Sequence, residues 1–245
     1  MTRRSCVVSR FPRKAQKRAT QRMMQPAADY STMSMNTKEG DEMNSDTLLR
    51  VLGISGSLRK ASFNSGLLRA AQEVAPERME ITIFDIIDLP LYNGDVEAQG
   101  DPASVVALKL AIRGADAVLF ATPEYNWSIS GALKNAIDWA SRDGEEESLM
   151  GKPATIIGAG GRAGTARAQM QLREILAELG SVVMVKPGVL VQAFAPPRFD
   201  SEGNLIDDET KELLGKHLDE FSKWILRLVR PHEFARYACE MDTPV

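Results

Sequence analysis

Short apolar runs alternate with amphipathic helical patterns along most of the chain, and this alternation is the strongest constraint on its fold. Each run is bounded by turn-forming residues, which is typical of a buried parallel strand. The predicted strands are Leu48–Ile54, Met79–Phe84, Asp116–Ala121, Pro153–Ile157 and Val182–Val185. Strict alternation of this kind predicts an α/β fold, in which helices cover both faces of a parallel sheet.

Apolar residues at helical spacing mark the segments between these runs. The first helix is predicted to begin near Asn64, and its stripe is Leu67, Ala70, Ala71 and Val74. Further helices are predicted over Ala103–Arg113, over Gly131–Ser141, around Leu172–Leu179 and from Asp207 to Leu228. Five strands favour the flavodoxin-like order 2-1-3-4-5, in which ligands bind beyond the carboxyl ends of strands 1 and 3.

The chain is long enough for one sizeable core, with 245 residues of which 44% are hydrophobic. We expect a basic, disordered extension over residues 1–45, a flavodoxin-like domain over 46–230 and a tail over 231–245. Eight basic residues precede the first acidic one, Asp29. The extension is Arg-rich and acid-poor, as organelle transit segments are, but it can equally be an over-extended reading frame or a functional tail. Without import, we expect a cytoplasmic protein.

Composition also excludes several classes of function. The net charge of −3 conceals a more acidic body after Asp29, which argues against nucleic acid as the main partner. The apolar runs are too short to insert in a membrane. Cys6 and Cys239 have no paired spacing, and neither they nor the two histidines suggest a metal site. His217 borders an apolar helix face and is interpreted as a packed residue rather than a catalytic one.

The segment from Gly56 to Ser65 (GSLRKASFNS) lies where the first strand ends and the first helix begins. Helix N-termini offer unpaired N–H groups and a dipole that favours anions. The candidate donors are Ser57, Arg59, Ser62, Asn64 and Ser65. These residues can also simply cap the helix and shape a turn. The segment lacks the Gly-Lys-Ser/Thr ending of triphosphate sites, so a monophosphate is favoured.

A second motif, residues 123–126 (Pro-Glu-Tyr-Asn), follows the third strand and is expected to meet the first loop. Pro and Asn can explain a turn by themselves. The position opposite a phosphate loop favours a further role, as a wall for a flat heteroaromatic ligand. Trp127 is interpreted as an exposed interface residue or as an extension of that wall.

The loop after the fourth strand contains Gly158, Gly160 and Ala163, a G-x-G-x-x-A pattern. A dinucleotide site would also need an acid at the end of the next strand, where Lys186 and Pro187 stand instead. The glycines are therefore interpreted as allowing close backbone approach to a ligand. Arg162 and Arg167 can attract an anionic cofactor or substrate, but each taken singly is interpreted as a solvated surface charge.

Three segments together resemble the NADPH-dependent FMN reductase family, particularly its chromate- and quinone-reducing branch. They are GSLRKASFNS, TPEYNWSISGALKNAIDWASR and GTARAQMQLREIL. The similarity runs from about Leu48 to Leu228. Ser130 departs from it, because many members have Pro there.

The resemblance implies FMN, bound through its phosphate by the first loop, from which Ser57, Arg59, Ser62, Phe63, Asn64 and Ser65 are the implied cofactor residues. The flavin ring would lie against Pro123, Glu124, Tyr125 and Asn126. Gly158, Gly160 and Gly161 would flank its other side. No side chain is assigned to catalysis, because the flavin itself reacts.

The implied activity is ping-pong hydride transfer from NADPH or NADH to a small-molecule acceptor. Candidate acceptors are quinones, azo compounds, free flavin and metal oxyanions such as chromate. The resemblance further implies a homodimer or homotetramer, with contacts through Trp127 and the PLYNGDVE segment. Two alternatives remain, a flavodoxin-like electron carrier and a flavin-free interaction domain. Both differ from a reductase because neither would oxidise NAD(P)H.

Overall fold

A computed structural model describes residues 48–144, 148–194 and 196–229 of the chain. The extension expected over residues 1–45 and the tail expected over 231–245 lie outside the described residues.

Five parallel strands form one sheet in the order β2-β1-β3-β4-β5, which confirms the flavodoxin-like topology. The strands are β1 Leu49–Ser55, β2 Met79–Phe84, β3 Ala117–Ala121, β4 Pro153–Gly160 and β5 Val182–Gln192. The helices are α1 Phe63–Val74, α2 Gly94–Glu97, α3 Ala103–Gly114, α4 Gly131–Ala140, α5 Ala166–Glu178 and α6 Asp208–Val229.

Successive side chains along each strand point to opposite faces of the sheet, where they pack in two separate apolar cores. Val51 of β1 packs in the core that α1 and α6 cover, where Phe221 is fully buried. The next residue, Leu52, packs in the opposite core with Leu133 and Leu172, which belong to α4 and α5. Helices therefore cover both faces, and the loops after the strands are left at one edge of the sheet.

The fifth strand is longer than predicted. The sequence pattern stops at Val185 because Pro187 has no N–H for a strand ladder, yet β5 continues to Gln192. Two features allow this: β5 is an edge strand, where proline is tolerated, and its register against β4 shifts between Thr155 and Ile157. The Lys186–Pro187 peptide is cis.

His217 confirms its interpretation as a packed residue, with 1% of its surface exposed. Its Nδ1 lies 2.6 Å from the Pro187 carbonyl oxygen, which can only accept, so Nδ1 donates. Its Nε2 then accepts from the Thr155 hydroxyl at 3.0 Å. Burial lowers the pKa of His217, and the bond to Pro187 opposes that effect only partly. The residue is a neutral cross-link between α6 and the sheet.

A hairpin over residues 198–206 packs against the start of α1, and sequence analysis assigned no structure to it. Phe199 and Leu205 pair across it, and Arg69 of α1 donates to the Asn204 side chain at 2.7 and 3.0 Å. The approach is so close that a Cβ on Gly66 would stand 1.8 Å from the Gly203 carbonyl oxygen. The hairpin thus fixes the N-terminal end of α1, where the first loop joins the helix.

We expect Gly66→Ala to lower the free energy of unfolding by about 1–3 kcal/mol, because the added methyl group would overlap the backbone of Gly203. Gly114→Ala is the matched control: that glycine ends α3, and no atom lies within 4 Å of an added Cβ. Its stability should be unchanged or higher by up to about 1 kcal/mol. Urea denaturation measures both, and equal stability of the two variants would contradict the packing described.

Candidate functional site

The first and third loops meet at the carboxyl edge of the sheet, as the winding order predicts. The Gly56 N–H donates to the Ala121 carbonyl at 2.9 Å, and Ser130 donates its hydroxyl to the Gly56 carbonyl. A Cβ on Gly56 would stand 2.9 Å from Cδ of Pro123. Ser130 also caps α4 by accepting from the Leu133 N–H at 3.1 Å. Ser130 therefore joins the two loops at the N-terminal end of α4.

Serine hydroxyls hold the first loop in shape. Ser62 is the N-cap of α1 and accepts from the Ser65 N–H at 3.2 Å. The Ser65 hydroxyl donates to Oγ of Ser55 at 3.0 Å, and the Ser57 N–H donates to the same oxygen at 3.3 Å. Ser62 therefore caps the helix, and the other serines shape the loop. The capping is compatible with anion binding, because it orients the first turn of the helix towards the cleft.

Asn64 has a long-range structural partner that the sequence did not indicate. Its side-chain amide donates to the Ala159 carbonyl at 3.0 Å and accepts from the Ala159 N–H at 2.9 Å. The side chain is buried. Asn64 thus ties the start of α1 to β4, two strands away in the sheet, and fixes the first loop relative to the fourth.

Arg59 is exposed at the top of the first loop and lies over an aromatic cluster. Its guanidinium carbon is 5.7 Å from the centre of the Phe63 ring. Phe63 in turn stacks on Phe199 at 4.7 Å and meets Phe194 edge-on at 5.6 Å. Phe63, expected among the cofactor residues, therefore supports the arginine with its ring.

A cleft of about 400 Å³ opens beside this loop. It is lined by Ser55, Ser57, Leu58, Arg59, Lys60, Ser65, Ile83, Phe84, Asp85 and Ile87. Hydroxyl groups and two cations at a helix N-terminus are the donor set that suits a phosphate. The residues present therefore fit the monophosphate that the sequence predicted.

The third loop forms a tight turn in which Tyr125 and Ser128 exchange two backbone hydrogen bonds of 3.0 Å. The two central residues, Asn126 and Trp127, have φ angles of 50° and 68°. Asn tolerates the left-handed region, but Trp rarely adopts it. Tyr125 is 46% exposed and Trp127 is 68% exposed, so both rings are available at the edge of the sheet.

Glu124 binds the start of α5 with its carboxylate. One oxygen accepts from the N–H groups of Arg167 at 2.9 Å and Ala168 at 3.2 Å, and the other pairs with the Arg167 guanidinium at 2.9 Å. The N-cap residue Thr165 makes no side-chain capping bond, so Glu124 caps the helix from another loop. Burial alone would raise the pKa of Glu124, but these hydrogen bonds outweigh it and lower the pKa.

Arg167 is not the solvated surface charge that sequence analysis assigned to it. Besides the ion pair with Glu124, its guanidinium carbon lies 4.1 Å from the centre of the Trp127 ring. One signal in the sequence pointed this way. A cation in the first turn of a helix opposes the helix dipole, so it indicates a nearby carboxylate from elsewhere in the chain.

The sequence pattern placed Gly158 and Gly160 in the loop after the fourth strand, but both lie at the end of β4. The close approach they permit is to the protein itself: a Cβ would stand 2.0 Å from Oγ1 of Thr165 at Gly158, and 2.6 Å from the Gly164 carbonyl oxygen at Gly160. A Cβ on Gly161 would have no neighbour within 4 Å. Only Gly161 therefore has the open surroundings expected beside a ligand.

Two further properties concern the parts of the chain that the structure describes. Within them, His, Cys, Asp and Glu nowhere gather in a group of three or more that could hold a metal ion. No helix there is both long enough and apolar enough to cross a membrane.

Comparison with known proteins identifies relatives over most of the chain. The family model for NADPH-dependent FMN reductases matches residues 49–195. An NAD(P)H-dependent FMN reductase of Pseudomonas aeruginosa is 50% identical over 181 residues, which cover 74% of this chain and 97% of the relative. An NADPH:quinone oxidoreductase of Arabidopsis thaliana is 47% identical over 186 residues, with coverage of 74% and 94%.

A solved structure agrees with these matches. The flavoenzyme NAD(P)H:(acceptor) oxidoreductase FerB of Paracoccus denitrificans superposes with a TM-score of 0.67 and 41% sequence identity. The superposition covers 74% of this chain and 98% of that protein.

Glu124 gives a testable dependence of stability on pH. Because its pKa is lowered in the folded state, its stabilising effect is present above the usual value of 4.5 and is lost as the pH falls through the folded-state pKa. Glu124→Gln should lower the free energy of unfolding by about 1 kcal/mol at neutral pH, the size of a helix cap. The difference from wild type should shrink in acid.

Glu212→Gln is the control, since it removes an exposed ion pair with Lys216 that should contribute little. Urea unfolding of the three proteins across the acid range measures both effects. A constant difference between wild type and Glu124→Gln at all pH values would contradict the capping role of the carboxylate.

Proposed function

Because the chain belongs to the NADPH-dependent FMN reductase family, and is an oxidoreductase that uses FMN with NADPH or NADH, we propose that it reduces quinones by a ping-pong reaction. The observation that carries the proposal is the meeting of a hydroxyl- and cation-lined helix N-terminus with a turn that exposes aromatic rings. The first suits a phosphate and the second suits a flat ring, and FMN has both.

The phosphate is placed in the cleft beside the first loop. Arg59, Ser57 and Ser65 line that cleft. Arg59 provides a permanent charge and Ser57 a hydroxyl group, and the Ser65 hydroxyl would turn from Ser55 to the phosphate. Ser62 and Asn64 are assigned a supporting part, because their side chains bind the backbone of Ser65 and Ala159. They would act on the phosphate chiefly through the position of the helix start.

The flavin ring is placed against the third loop, with Tyr125 and Asn126 as the wall and Gly161 on the other flank. Pro123 packs on the first loop and Glu124 binds α5, so both would set the position of the wall. When bound, FMN supplies the redox chemistry, which is hydride uptake from NAD(P)H followed by transfer of two electrons to the acceptor. The chain's own residues would bind FMN, orient its ring and shield it from water.

The acceptor class is drawn from the quinone-reducing relative. An exposed flavin edge would also admit azo compounds, free flavin or an oxyanion such as chromate. We extend the proposal to a cytoplasmic homodimer or homotetramer. The exposed side chains of Leu91 and Trp127, at 83% and 68%, support that assembly, because large apolar groups on a surface favour an interface.

The visible spectrum of the purified protein, before and after addition of NADPH, tests this function. We expect a yellow protein whose absorption is bleached by NADPH and restored by a quinone. A yellow protein that NADPH does not bleach would instead be an electron carrier, and a protein that binds no FMN would contradict the site itself.

Arg59→Ala tests the phosphate assignment. Loss of one charge-assisted hydrogen bond should weaken FMN binding by roughly 2 kcal/mol, about thirty-fold in the dissociation constant. Arg50→Ala is the matched control, because it removes an exposed arginine from the opposite, amino end of β1. Fluorescence titration of FMN measures both, and equal affinities of the two variants would rule out Arg59 as a phosphate ligand.

A further inference from the structure

The turn that would form the flavin wall has an unfavourable backbone conformation. Asn126 and Trp127 are consecutive left-handed residues, with φ angles of 50° and 68°. A bulky aromatic side chain disfavours that region, and such residues persist only where their surroundings hold them. The two hydrogen bonds between Tyr125 and Ser128 close the turn, but they do not fix its orientation relative to the sheet.

Helix α5 supplies the contacts that hold the turn from outside. Gln171 donates from Nε2 to the Trp127 carbonyl at 3.1 Å and accepts the Ser128 hydroxyl at 2.6 Å. One turn of helix earlier, the Arg167 guanidinium lies over the indole at 4.1 Å. The Trp127 ring is mostly exposed, so these polar and cation–π contacts, rather than burial in a core, hold it.

Arg167 is itself held in one orientation. Its guanidinium donates along one edge to Glu124 at 2.9 Å, and the same carboxylate accepts the N–H groups of Arg167 and Ala168. The Arg167 side chain is 43% exposed, so the ion pair contributes little to stability by itself. Its effect is geometric, because a guanidinium that binds Glu124 and also lies over the indole links the Trp127 turn to the start of α5.

We infer that Arg167 is a positioning residue for the reductase reaction: held by Glu124 and stacked on Trp127, it keeps the Tyr125–Ser128 turn in the conformation that aligns the flavin. This inference rests on the proposed placement of the ring against residues 123–126. Arg167 acts through the turn and is assigned no contact with FMN or with NAD(P)H.

Loss of Arg167 has consequences that differ from loss of a ligand to the cofactor. The phosphate anchor at the first loop remains, so FMN stays bound. The wall then keeps only the Gln171 contacts with α5 and adopts other conformations more readily. Hydride transfer slows because it depends on the alignment of the reacting atoms. An arginine that bound the phosphates of NAD(P)H directly would instead change the concentration of NAD(P)H needed for half-maximal rate.

The experiment compares Arg167→Met, Arg167→Lys and wild type as FMN-loaded proteins. Methionine keeps much of the apolar stem without the charge, and lysine keeps the charge without the planar fork. Lys223→Ala is the matched control, since it breaks an ion pair with Glu220 on α6. The measurements are the FMN dissociation constant, the visible circular dichroism of bound FMN and the rate of flavin reduction in stopped flow over a range of NADPH concentrations up to saturation.

For Arg167→Met we expect a changed dichroism spectrum, FMN affinity within about threefold of wild type and flavin reduction slower by about tenfold or more. Arg167→Lys should fall between Arg167→Met and wild type, and it carries the test if Arg167→Met fails to fold. Lys223→Ala should match wild type. Wild-type reduction rates and spectra in the Arg167 variants would overturn the inference, as would a loss confined to NADPH affinity.

Trp127→Gly provides a second, independent measurement. Glycine adopts the left-handed region without penalty, so the turn should then need less support from α5. The loss caused by Arg167→Met should be smaller in the Trp127→Gly background, and an equal fold-loss in both backgrounds would overturn the inference. A wild-type protein that NADPH does not reduce contradicts the proposed function, whereas a wild type that is reduced together with unaffected Arg167 variants contradicts only this inference.

Discussion

The close contact between the first and third loops is the constraint on which the rest of the site depends. The Gly56 N–H continues the sheet by bonding to the Ala121 carbonyl, and Pro123 lies where any Cβ on Gly56 would be. The contact is possible because β1 and β3 are parallel neighbours whose carboxyl ends reach the same edge. A donor-rich helix start and an aromatic turn, about sixty residues apart in sequence, are thereby brought side by side.

Each loop is then fixed by one of its own side chains, which binds a distant part of the chain. Asn64 joins the start of α1 to Ala159 of β4, and Glu124 joins the third loop to the start of α5. Both satisfy backbone groups that would otherwise lack partners, which costs more when lost than an exposed ion pair does. The site is therefore rigid where it is anchored, and it depends on α5 where the Trp127 turn projects from the sheet.

The fold was predictable from local patterns because each core strand and helix carries its own periodicity. The order of the strands followed from their number and from the alternation, and the structure confirms it. The extension of β5 past Pro187 was not predictable, because proline is compatible with a strand only at the edge of a sheet, and the edge is a property of the whole fold.

For the site, the sequence located the loops but not the partners of individual side chains. Glu124 is expected beside the flavin, but the sequence did not indicate that its carboxylate also caps α5. Arg167 was assigned to solvent because its position in the first turn of a helix favours a carboxylate nearby but does not identify Glu124, 43 positions away, as that partner. Gly158 and Gly160 were interpreted as allowing close approach of a ligand, and in the structure the atoms that lie close to them belong to Thr165 and Gly164 of the chain itself.

A crystal structure of the protein with FMN bound tests the placement of the cofactor most directly. We expect the phosphate within hydrogen-bond distance of Arg59 and the first loop, and the flavin ring against Tyr125 and Asn126, with the Glu124–Arg167 pair intact. A phosphate bound elsewhere, or a ring that does not touch the third loop, would contradict this placement.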